Sequence, residues 1–301
     1  MHFNKILKKD KFTLILFHGV ISNKKTRIRN YTKKHIEKKK FEKILKYLTA
    51  KGNPISLDQY INYQKKNIKL PKYSFSLSFD DGFENNFSVA FPILKKYKIP
   101  TIFYVSTNLV QKNLMTWIDQ IEYLLEKKNF VIEDFMGTKK FNLSNKKNKI
   151  NFLTFLRKKI KSNPSKYDVK KLVSEIYAAA NEKIIESSSH ELDKKMSLSQ
   201  IKKISNNKLF TVGAHCHNHV SMAFLNKREL KYEITTSIKV LENNIKRKIY
   251  HFSYPEGMWN DFNQKVIDEL KKNKIVCCPT AIFGHNKINE NLFFLKRIMI
   301  T

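Results

Sequence analysis

Short apolar runs alternate with amphipathic helical stretches along most of this chain. This alternation is typical of strands that feed crossover helices, so it predicts a mainly parallel α/β sheet. About seven such units would be enough to curl the sheet into an incomplete barrel. The predicted strands are residues 13–17, 74–79, 101–106, 210–214, 250–254, 275–278 and 293–299, and the predicted helices are residues 36–48, 87–97, 227–245 and 263–272.

Residues 110–192 interrupt this rhythm, because they are Lys-rich, mostly helical in pattern and poor in strand signals. The stretches WIDQIEYLLEKK and INFLTFLRKKI have amphipathic spacing, whereas NLSNKKNKIN and SNPSKYD are typical of turns or loops. We therefore expect a single domain over residues 1–301 that carries a mostly helical insertion at 110–192. The insertion forms either one wall of a substrate groove or a passive helical cap.

The chain is strongly basic, with 58 Lys and Arg against 26 Asp and Glu and a formal charge of +32. Its 42% apolar content and 22 Phe indicate a folded protein. The charge follows whole helices, as in residues 33–46, and does not form one stripe with aromatic residues between the charges. A solvated surface is therefore favoured over a specific nucleic-acid partner, while peripheral contact with an anionic membrane surface or an acidic glycan stays open.

The cysteines and the first residues bear on location. Cys216, Cys277 and Cys278 include no CxxC pair, which favours a reducing compartment. The basic start MHFNKILKKDK precedes a short apolar run that lacks a signal-peptide cleavage site. No run reaches the ~18 apolar residues that a membrane-spanning helix needs. We expect a cytoplasmic protein without a signal peptide or a transmembrane helix, with the inner membrane face as an alternative.

Two adjacent carboxylates, Asp80 and Asp81, directly follow a predicted strand and precede Gly82, which permits a sharp turn. Such neighbours repel each other, and a cation bound by one of them would relieve the repulsion while the other stays free to accept a proton. An ordinary Asp-Asp-Gly surface turn is the alternative interpretation.

Three histidines within five residues follow another predicted strand, in the segment GAHCHNH. His215 and His219 are spaced so that both can reach one ion, and a carboxylate added to them would leave coordination positions open to water. A solvated histidine-rich loop is the alternative. A third segment, Tyr254, Pro255, Glu256 and Gly257, predicts a rigid turn that lines the pocket floor.

The order FDDG, GAHCHNH, YPEG resembles the NodB-type polysaccharide deacetylase family, and the similarity extends over nearly the whole chain outside the insertion. The resemblance implies a deformed (β/α)7 barrel, Asp80 as catalytic base, and Asp81, His215 and His219 as ligands of a divalent metal. For that ligand set zinc is the expected ion, with cobalt, nickel or iron as alternatives. Substrate binding is expected from Tyr254, Pro255, Gly257 and, in the insertion, Trp117.

The chain departs from the family pattern in two places. Ser253 stands where the family often has an arginine that orients the base, and we expect Arg297 to take that role. The family also commonly ends in a Leu-x-His motif whose histidine is the general acid, which is missing here. In a circularly permuted subset this motif lies in the first strand, and Leu16, Phe17 and His18 match it.

His18 is therefore the expected general acid, since a histidine at the end of the first strand faces the same rim and titrates near neutrality. A buried structural histidine at this position is the alternative, and His251 and His285 are weaker candidates for the acid.

The sequence thus predicts a metal-dependent hydrolase that removes an N-acetyl group from a carbohydrate. The expected substrate is a poly- or oligosaccharide or a lipid- or nucleotide-linked sugar. Two alternatives remain: hydrolysis of another C–N amide on the same barrel, and a non-catalytic basic protein that binds glycan or nucleic acid.

Overall fold

Buried parallel strands form the centre of the protein in a computed structural model that describes residues 6–22 and 28–301. The strands are β1 (Thr13–Phe17), β2 (Gly19–Ile21), β3 (His35–Glu37), β4 (Asn53–Pro54), β5 (Ser74–Phe79), β6 (Thr101–Val105), β7 (Val131–Phe135), β8 (Thr138–Asn142), β9 (Phe210–Ala214) and β10 (Arg297–Met299). The α-helices are α1 (Lys38–Lys51), α2 (Leu57–Lys65), α3 (Phe91–Tyr97), α4 (Thr107–Lys112), α5 (Trp117–Lys127), α6 (Lys146–Ser162), α7 (Val169–Ala179), α8 (Leu198–Ser205), α9 (Lys227–Ile245) and α10 (Gln264–Lys272).

The main sheet has the order β10-β1-β5-β6-β9, and every pairing in it is parallel. β4 adds to the first residues of β5. Every residue of β1 and β5 is buried, as expected for strands that are covered on both faces. Parallel pairing also puts the carboxyl ends of these strands at one rim, where the predicted site residues follow them.

Single parallel bridges continue the sheet from β9 round to β10. They join Ala214 to Phe252, His251 to Cys277 and Phe283 to Arg297. Seven chain segments therefore surround the interior, and the ring closes through irregular pairing. The expected fold class, an α/β protein with a deformed barrel, is confirmed.

Aromatic side chains fill the interior of the main core. The ring of Phe79 lies between those of Phe17 and Phe103, with both centroid distances at 5.3 Å. Phe41 of α1 meets the same ring edge-on at 6.0 Å. Phe79 therefore connects three neighbouring strands with the helix that covers them.

Helices α5, α6 and α7 have a hydrophobic cluster of their own. It joins α5, α6 and α7 to the β7–β8 hairpin, and its buried members include Ile121, Leu125, Phe152, Leu156 and Ile176. A separate cluster fits the expectation of an insertion, although its boundaries at residues 110 and 192 stay a prediction.

Two local predictions within this region are wrong. The β7–β8 hairpin was not expected; its two-residue turn places Met136 and Gly137 at φ 52° and 79°, the left-handed pair that such hairpins require. The stretch NLSNKKNKIN was expected to be a turn or loop, but α6 begins within it, because the Asn145 side chain accepts a hydrogen bond from the Asn148 N–H and caps the helix.

The last three predicted strands are shorter than expected. Residues 250–254 and 275–278 contribute only the bridges described above. Residues 293–299 form a strand only from Arg297 onward. The backbone that precedes Arg297 forms hydrogen bonds with residues 278–280 and not with β1; for example, the Thr280 N–H donates to the Leu295 carbonyl at 2.8 Å.

Within residues 6–22 and 28–301, no helix combines the length and apolar character needed to cross a bilayer.

The position of Phe79 leads to a stability prediction. Phe79→Ala should lower the free energy of unfolding by about 3–5 kcal/mol, because it leaves a cavity between stacked rings. Phe283→Ala is the matched control: its ring is 71% exposed, so the change should stay within about 0.5 kcal/mol. Urea denaturation followed by circular dichroism measures both, and equal losses in the two variants would contradict the packing argument.

Candidate metal and catalytic centre

Asp80 and Asp81 follow β5 in a turn with left-handed backbone. Asp81 has φ 74° and Gly82 has φ 79°, a conformation that is uncommon for residues other than glycine. A Cβ atom on Gly82 would lie 2.9 Å from Val110 Cγ2, so the position has no room for a side chain. The turn lets the two carboxylates meet different partners.

The loop of residues 215–219 follows β9 beside the end of β6. Ser106 Oγ donates to the His215 carbonyl at 2.7 Å, and the Asn108 N–H donates to the His217 carbonyl at 2.9 Å. Within the loop, Cys216 and His219 have φ of 65° and 56°. Two left-handed residues allow this short segment to turn back on itself, so that His215 and His219 approach the same point.

Asp81, His215 and His219 bring one ligand atom each to within 4.8 Å of the others. Asp81 Oδ1 lies 3.5 Å from His215 Nε2 and 3.1 Å from His219 Nε2. Asp81 and His215 are buried, and His219 is half-buried. The structure thus brings together the three residues that the sequence predicted as ligands.

The donor set fits a divalent cation. His215 Nδ1 donates a hydrogen bond to the Ser253 carbonyl at 2.8 Å, which leaves the Nε2 lone pair directed at Asp81. Asp81 Oδ1 is buried and has no hydrogen bond of acceptable geometry among the described residues, in spite of the nearby imidazoles. A buried carboxylate oxygen in this state is costly unless a cation binds it.

The charge state of Asp81 suits the same role. Burial by itself would raise its pKa, but the charge of the neighbouring His219 outweighs burial, and the pKa of Asp81 lies well below its usual value. Asp81 is therefore ionised, as a metal ligand must be.

Arg297 binds Asp80 through two parallel hydrogen bonds of 2.8 Å. Its Nε donates to the Thr280 carbonyl at 2.6 Å, and its Nη2 also donates to Ser253 Oγ at 3.0 Å. Burial would raise the pKa of Asp80, but Arg297 outweighs burial and lowers it. Asp80 Oδ2 lies 4.0 Å from His215 Nε2, so this carboxylate stands directly beside the candidate metal position.

His18 follows β1 at the same rim. Phe17 pairs with Phe79, and the Asp80 N–H donates to the Phe17 carbonyl at 3.1 Å. His18 and Asp80 directly follow these two paired residues, so they lie next to each other at the rim. His18 Nδ1 is buried without a hydrogen bond from any described residue. Burial lowers the pKa of His18, and the nearby charges of Asp81 and Asp80 oppose that shift.

The other candidate histidines have partners elsewhere. His251 Nε2 lies 2.8 Å from Asp58 Oδ1, and His285 Nδ1 lies 3.0 Å from Thr13 Oγ1. The middle histidine of the loop, His217, has its Nδ1 at 2.7 Å from Thr107 Oγ1. These contacts account for histidines that lie outside the metal set.

A groove of about 1140 Å³ opens from the site between the insertion and the loops of the barrel. Trp117, His219 and Glu256 are among its lining residues. An ion pair between Lys161 of α6 and Glu256 links the two walls. Trp117 therefore stands where a substrate-binding residue was expected.

The YPEG turn differs from expectation. Tyr254, Pro255 and Gly257 are buried, and Glu256 is the residue of this turn that lines the groove. The Tyr254 ring stacks on Phe262 at a centroid distance of 4.1 Å, so it belongs to the core and not to the groove surface. The cause is the tight left-handed turn at residues 256 and 257, which packs Gly257 against residue 281.

Glu233 is a site residue that the sequence analysis missed. Its Oε2 accepts hydrogen bonds from the His217 and Asn218 backbone N–H groups at 3.0 and 2.8 Å. Its signal in the sequence is a carboxylate on the apolar stripe of α9, next to the buried Leu230 and Ile234.

Comparisons with known proteins identify the family of this chain. The family described as polysaccharide deacetylase matches residues 67–276. The Poly-beta-1,6-N-acetyl-D-glucosamine N-deacetylase of Staphylococcus aureus is 35% identical over 95 residues, which cover 31% of this chain and 31% of that protein. Its Staphylococcus epidermidis counterpart is 32% identical over 109 residues, covering 36% and 35%. The chain thus matches about a third of the length of these curated relatives.

Two solved structures extend the likeness to almost the whole chain. The Streptococcus pyogenes deacetylase PplD in complex with acetate has a TM-score of 0.61 at 15% identity and covers 97% of this chain and 93% of its own. IcaB from Ammonifex degensii has a TM-score of 0.60 at 19% identity and covers 98% and 94%. At these identities the structures establish the fold alone. The family match over residues 67–276 takes in most of this chain, and the protein belongs to the polysaccharide deacetylase family.

Proposed function

We propose that this protein removes an N-acetyl group from a carbohydrate with the help of a divalent metal ion. The observation that carries the proposal is the meeting of Asp81, His215 and His219 around one position, with Asp80 next to it. Family membership and the name of the staphylococcal relatives support an N-acetylglucosamine-type sugar as substrate. The sugar is part of a poly- or oligosaccharide or is linked to a lipid or nucleotide.

Asp81, His215 and His219 would hold the metal, for which zinc is expected and cobalt, nickel or iron are alternatives. When bound, the ion would polarise the acetyl carbonyl and make a water molecule more acidic. The hydrogen bond from His215 Nδ1 to the Ser253 carbonyl fixes the imidazole in the tautomer that this role needs.

Asp80 is the proposed base, accepting a proton from the attacking water. Its low pKa keeps it ionised, and the two hydrogen bonds from Arg297 fix the plane of its carboxylate. Arg297 thereby takes over the orienting role of the arginine that Ser253 replaces. Ser253 remains part of the same network through its contact with Arg297.

His18 is the proposed general acid, donating a proton to the leaving amine nitrogen. Support comes from its place at the rim beside Asp80 and from the buried Nδ1 that has no partner among the described residues. A Leu-x-His motif that follows the first strand of the sheet agrees with a circularly permuted arrangement, which we include in the proposal.

The groove is the proposed binding surface for the sugar. Its volume of about 1140 Å³ is larger than the ~300–1,000 Å³ typical of small-molecule pockets. A chain of several sugar units, with Trp117 on one wall, suits such a space better than a single unit. The insertion would then be a substrate wall, not a passive cap.

The proposal is tested by metal analysis of the purified protein and by acetate release from a panel of N-acetylated saccharides and other amides. Hydrolysis of the other amides alone would contradict the choice of sugar. A non-catalytic basic protein, suggested by the +32 charge, would instead show salt-sensitive glycan or nucleic-acid binding that survives loss of Asp80 and Asp81.

The metal and base roles predict different variant phenotypes. Asp81→Ala and His215→Ala should lose both bound metal and turnover, because each removes a ligand. Asp80→Asn should retain metal and lose turnover, because an amide cannot accept the proton. Metal content per protein and initial rates measure the two effects, and full activity of Asp80→Asn would refute the base assignment.

The acid role predicts that His18→Ala lowers kcat by about 10²- to 10⁴-fold, while metal content stays at the wild-type level. His285→Ala is the control, since its ring contacts Thr13 away from the centre. Single-turnover rates of the two variants measure the chemical step. A large loss for His285→Ala together with a small loss for His18→Ala would show that the acid is misassigned.

The Arg297–Asp80 pair predicts a stability effect. Arg297→Met should lower the free energy of unfolding by about 3–5 kcal/mol, because it leaves the buried Asp80 carboxylate without its cation. In the double variant with Asp80→Asn the loss should be smaller than the sum of the single losses. Denaturant titrations of all four proteins complete the cycle, and strictly additive losses would mean that the pair is not coupled.

A further inference from the structure

We propose that Glu233 is a positioning residue that holds residues 215–219 in the shape that brings His215 and His219 to one metal ion. The inference rests on the proposed metal site and adds a residue of α9 to it. Glu233 reaches the loop between the two ligands and binds the loop, not the metal.

Four hydrogen-bond donors of the loop converge on this one carboxylate. Oε2 accepts from Cys216 Sγ at 2.7 Å and from the backbone N–H groups of His217 and Asn218 at 3.0 and 2.8 Å. Oε1 accepts from Asn218 Nδ2 at 2.5 Å. All three residues between the two metal ligands therefore donate to Glu233.

The loop needs this support because its backbone is strained. Cys216 and His219 both have left-handed φ, and a residue other than glycine in such a conformation costs about 1–3 kcal/mol. Without a fixed acceptor, the donors of residues 216–218 could turn towards water and the loop could relax. His219 would then move relative to His215, which directly follows β9 and whose N–H donates to the Val105 carbonyl at 3.0 Å.

The opposite side of the loop is held in a different way. Residues 106–108 donate to its carbonyl groups: Ser106 Oγ to residue 215, the Thr107 N–H to residue 216 and the Asn108 N–H to residue 217. The carbonyls thus face the end of β6, while the N–H groups of residues 217 and 218 face α9. On the side that faces α9, the four donors described above all bond to Glu233, so its carboxylate fixes the orientation of the loop.

The surroundings of Glu233 explain why a charge is needed there. It is 6% exposed, on the apolar stripe of α9, where an unpaired carboxylate is costly. Its donors are backbone amides, a thiol and a side-chain amide, and hydrogen bonds to an ionised acceptor are about twice as strong as neutral ones. The carboxylate and the loop therefore stabilise each other.

The test uses Glu233→Gln in the full chain, with Co²⁺ and Zn²⁺ titrated against a chromophoric chelator. A glutamine has the same shape, but its NH₂ group must face donors of the loop in either orientation. We expect the metal dissociation constant to rise by about 10- to 100-fold, the usual effect of removing a residue that orients ligands. The visible spectrum of the Co²⁺ form should change, and saturating metal should restore most of the turnover.

Glu242→Gln is the matched control on the same helix. Glu242 also accepts a backbone hydrogen bond, from the Ile249 N–H at 3.1 Å, together with one from Lys248 Nζ at 3.0 Å. Its metal affinity and Co²⁺ spectrum should equal those of the wild type. Wild-type affinity in Glu233→Gln, or an equal loss in both variants, would overturn the inference.

A second pair of variants covers the case in which Glu233→Gln does not fold. Cys216→Ala removes one of the four donors and should weaken metal binding, and Cys216→Ser, which keeps a donor, should recover most of the loss. Equal affinities of these two variants would overturn the inference. Asp81→Ala tests the proposed metal site itself, separately from the role of Glu233. If this variant binds metal as tightly as the wild type, the proposed function fails and the inference fails with it.

Discussion

The structure depends on how the negative charges of two adjacent buried carboxylates at the end of β5 are compensated. Asp80 and Asp81 repel each other and have lost most of their hydration, so each needs its own source of positive charge. Asp80 obtains it from Arg297 in β10, and Asp81 faces the imidazoles that follow β9. These strands lie on opposite sides of β5 in the sheet. Arg297 begins β10 at the level of Leu14, so its long side chain is what reaches Asp80 at the rim.

Because Asp80 and Asp81 have different partners, the two carboxylates suit different roles. A carboxylate locked in a bidentate pair with a guanidinium keeps its charge and its plane, which suits a base that must not become a ligand. A carboxylate with a buried oxygen that lacks a hydrogen bond, facing imidazole nitrogens, suits a cation. The left-handed conformations of Asp81 and His219 are costly, and the surrounding donors and acceptors maintain them. Two of the three proposed metal ligands, Asp81 and His219, are therefore among the strained residues of this rim, together with Cys216 and Glu256.

The sequence was most informative where structure depends on local pattern. The bounds of β1, β5 and β9, and those of α9, agree with the predicted residues, because continuous apolar runs and regular helical spacing are local signals. The segments that close the barrel were predicted as full strands, yet bridges at Phe252 and Cys277 depend on how distant segments meet. Asp81, His215 and His219 were predicted because their motifs follow strands and resemble the family pattern, and parallel pairing brings such positions to one rim. Glu233 was missed because its partners on the loop are fixed by tertiary packing, which no spacing along the chain reveals.

The strong positive charge of the chain is not concentrated in the groove. Four cationic and four acidic side chains line it: Lys112, Lys161, Lys170 and Arg228 against Glu229, Glu233, Glu256 and Asp261. Lys161 and Glu256 pair with each other across the groove, which further reduces the field that a bound molecule would experience. A site for a polyanion requires cations without acidic neighbours, because the attraction depends on uncompensated charge. The balance leaves no surplus of cations in the groove for a polyanion and agrees with the proposed N-acetylated sugar as its occupant.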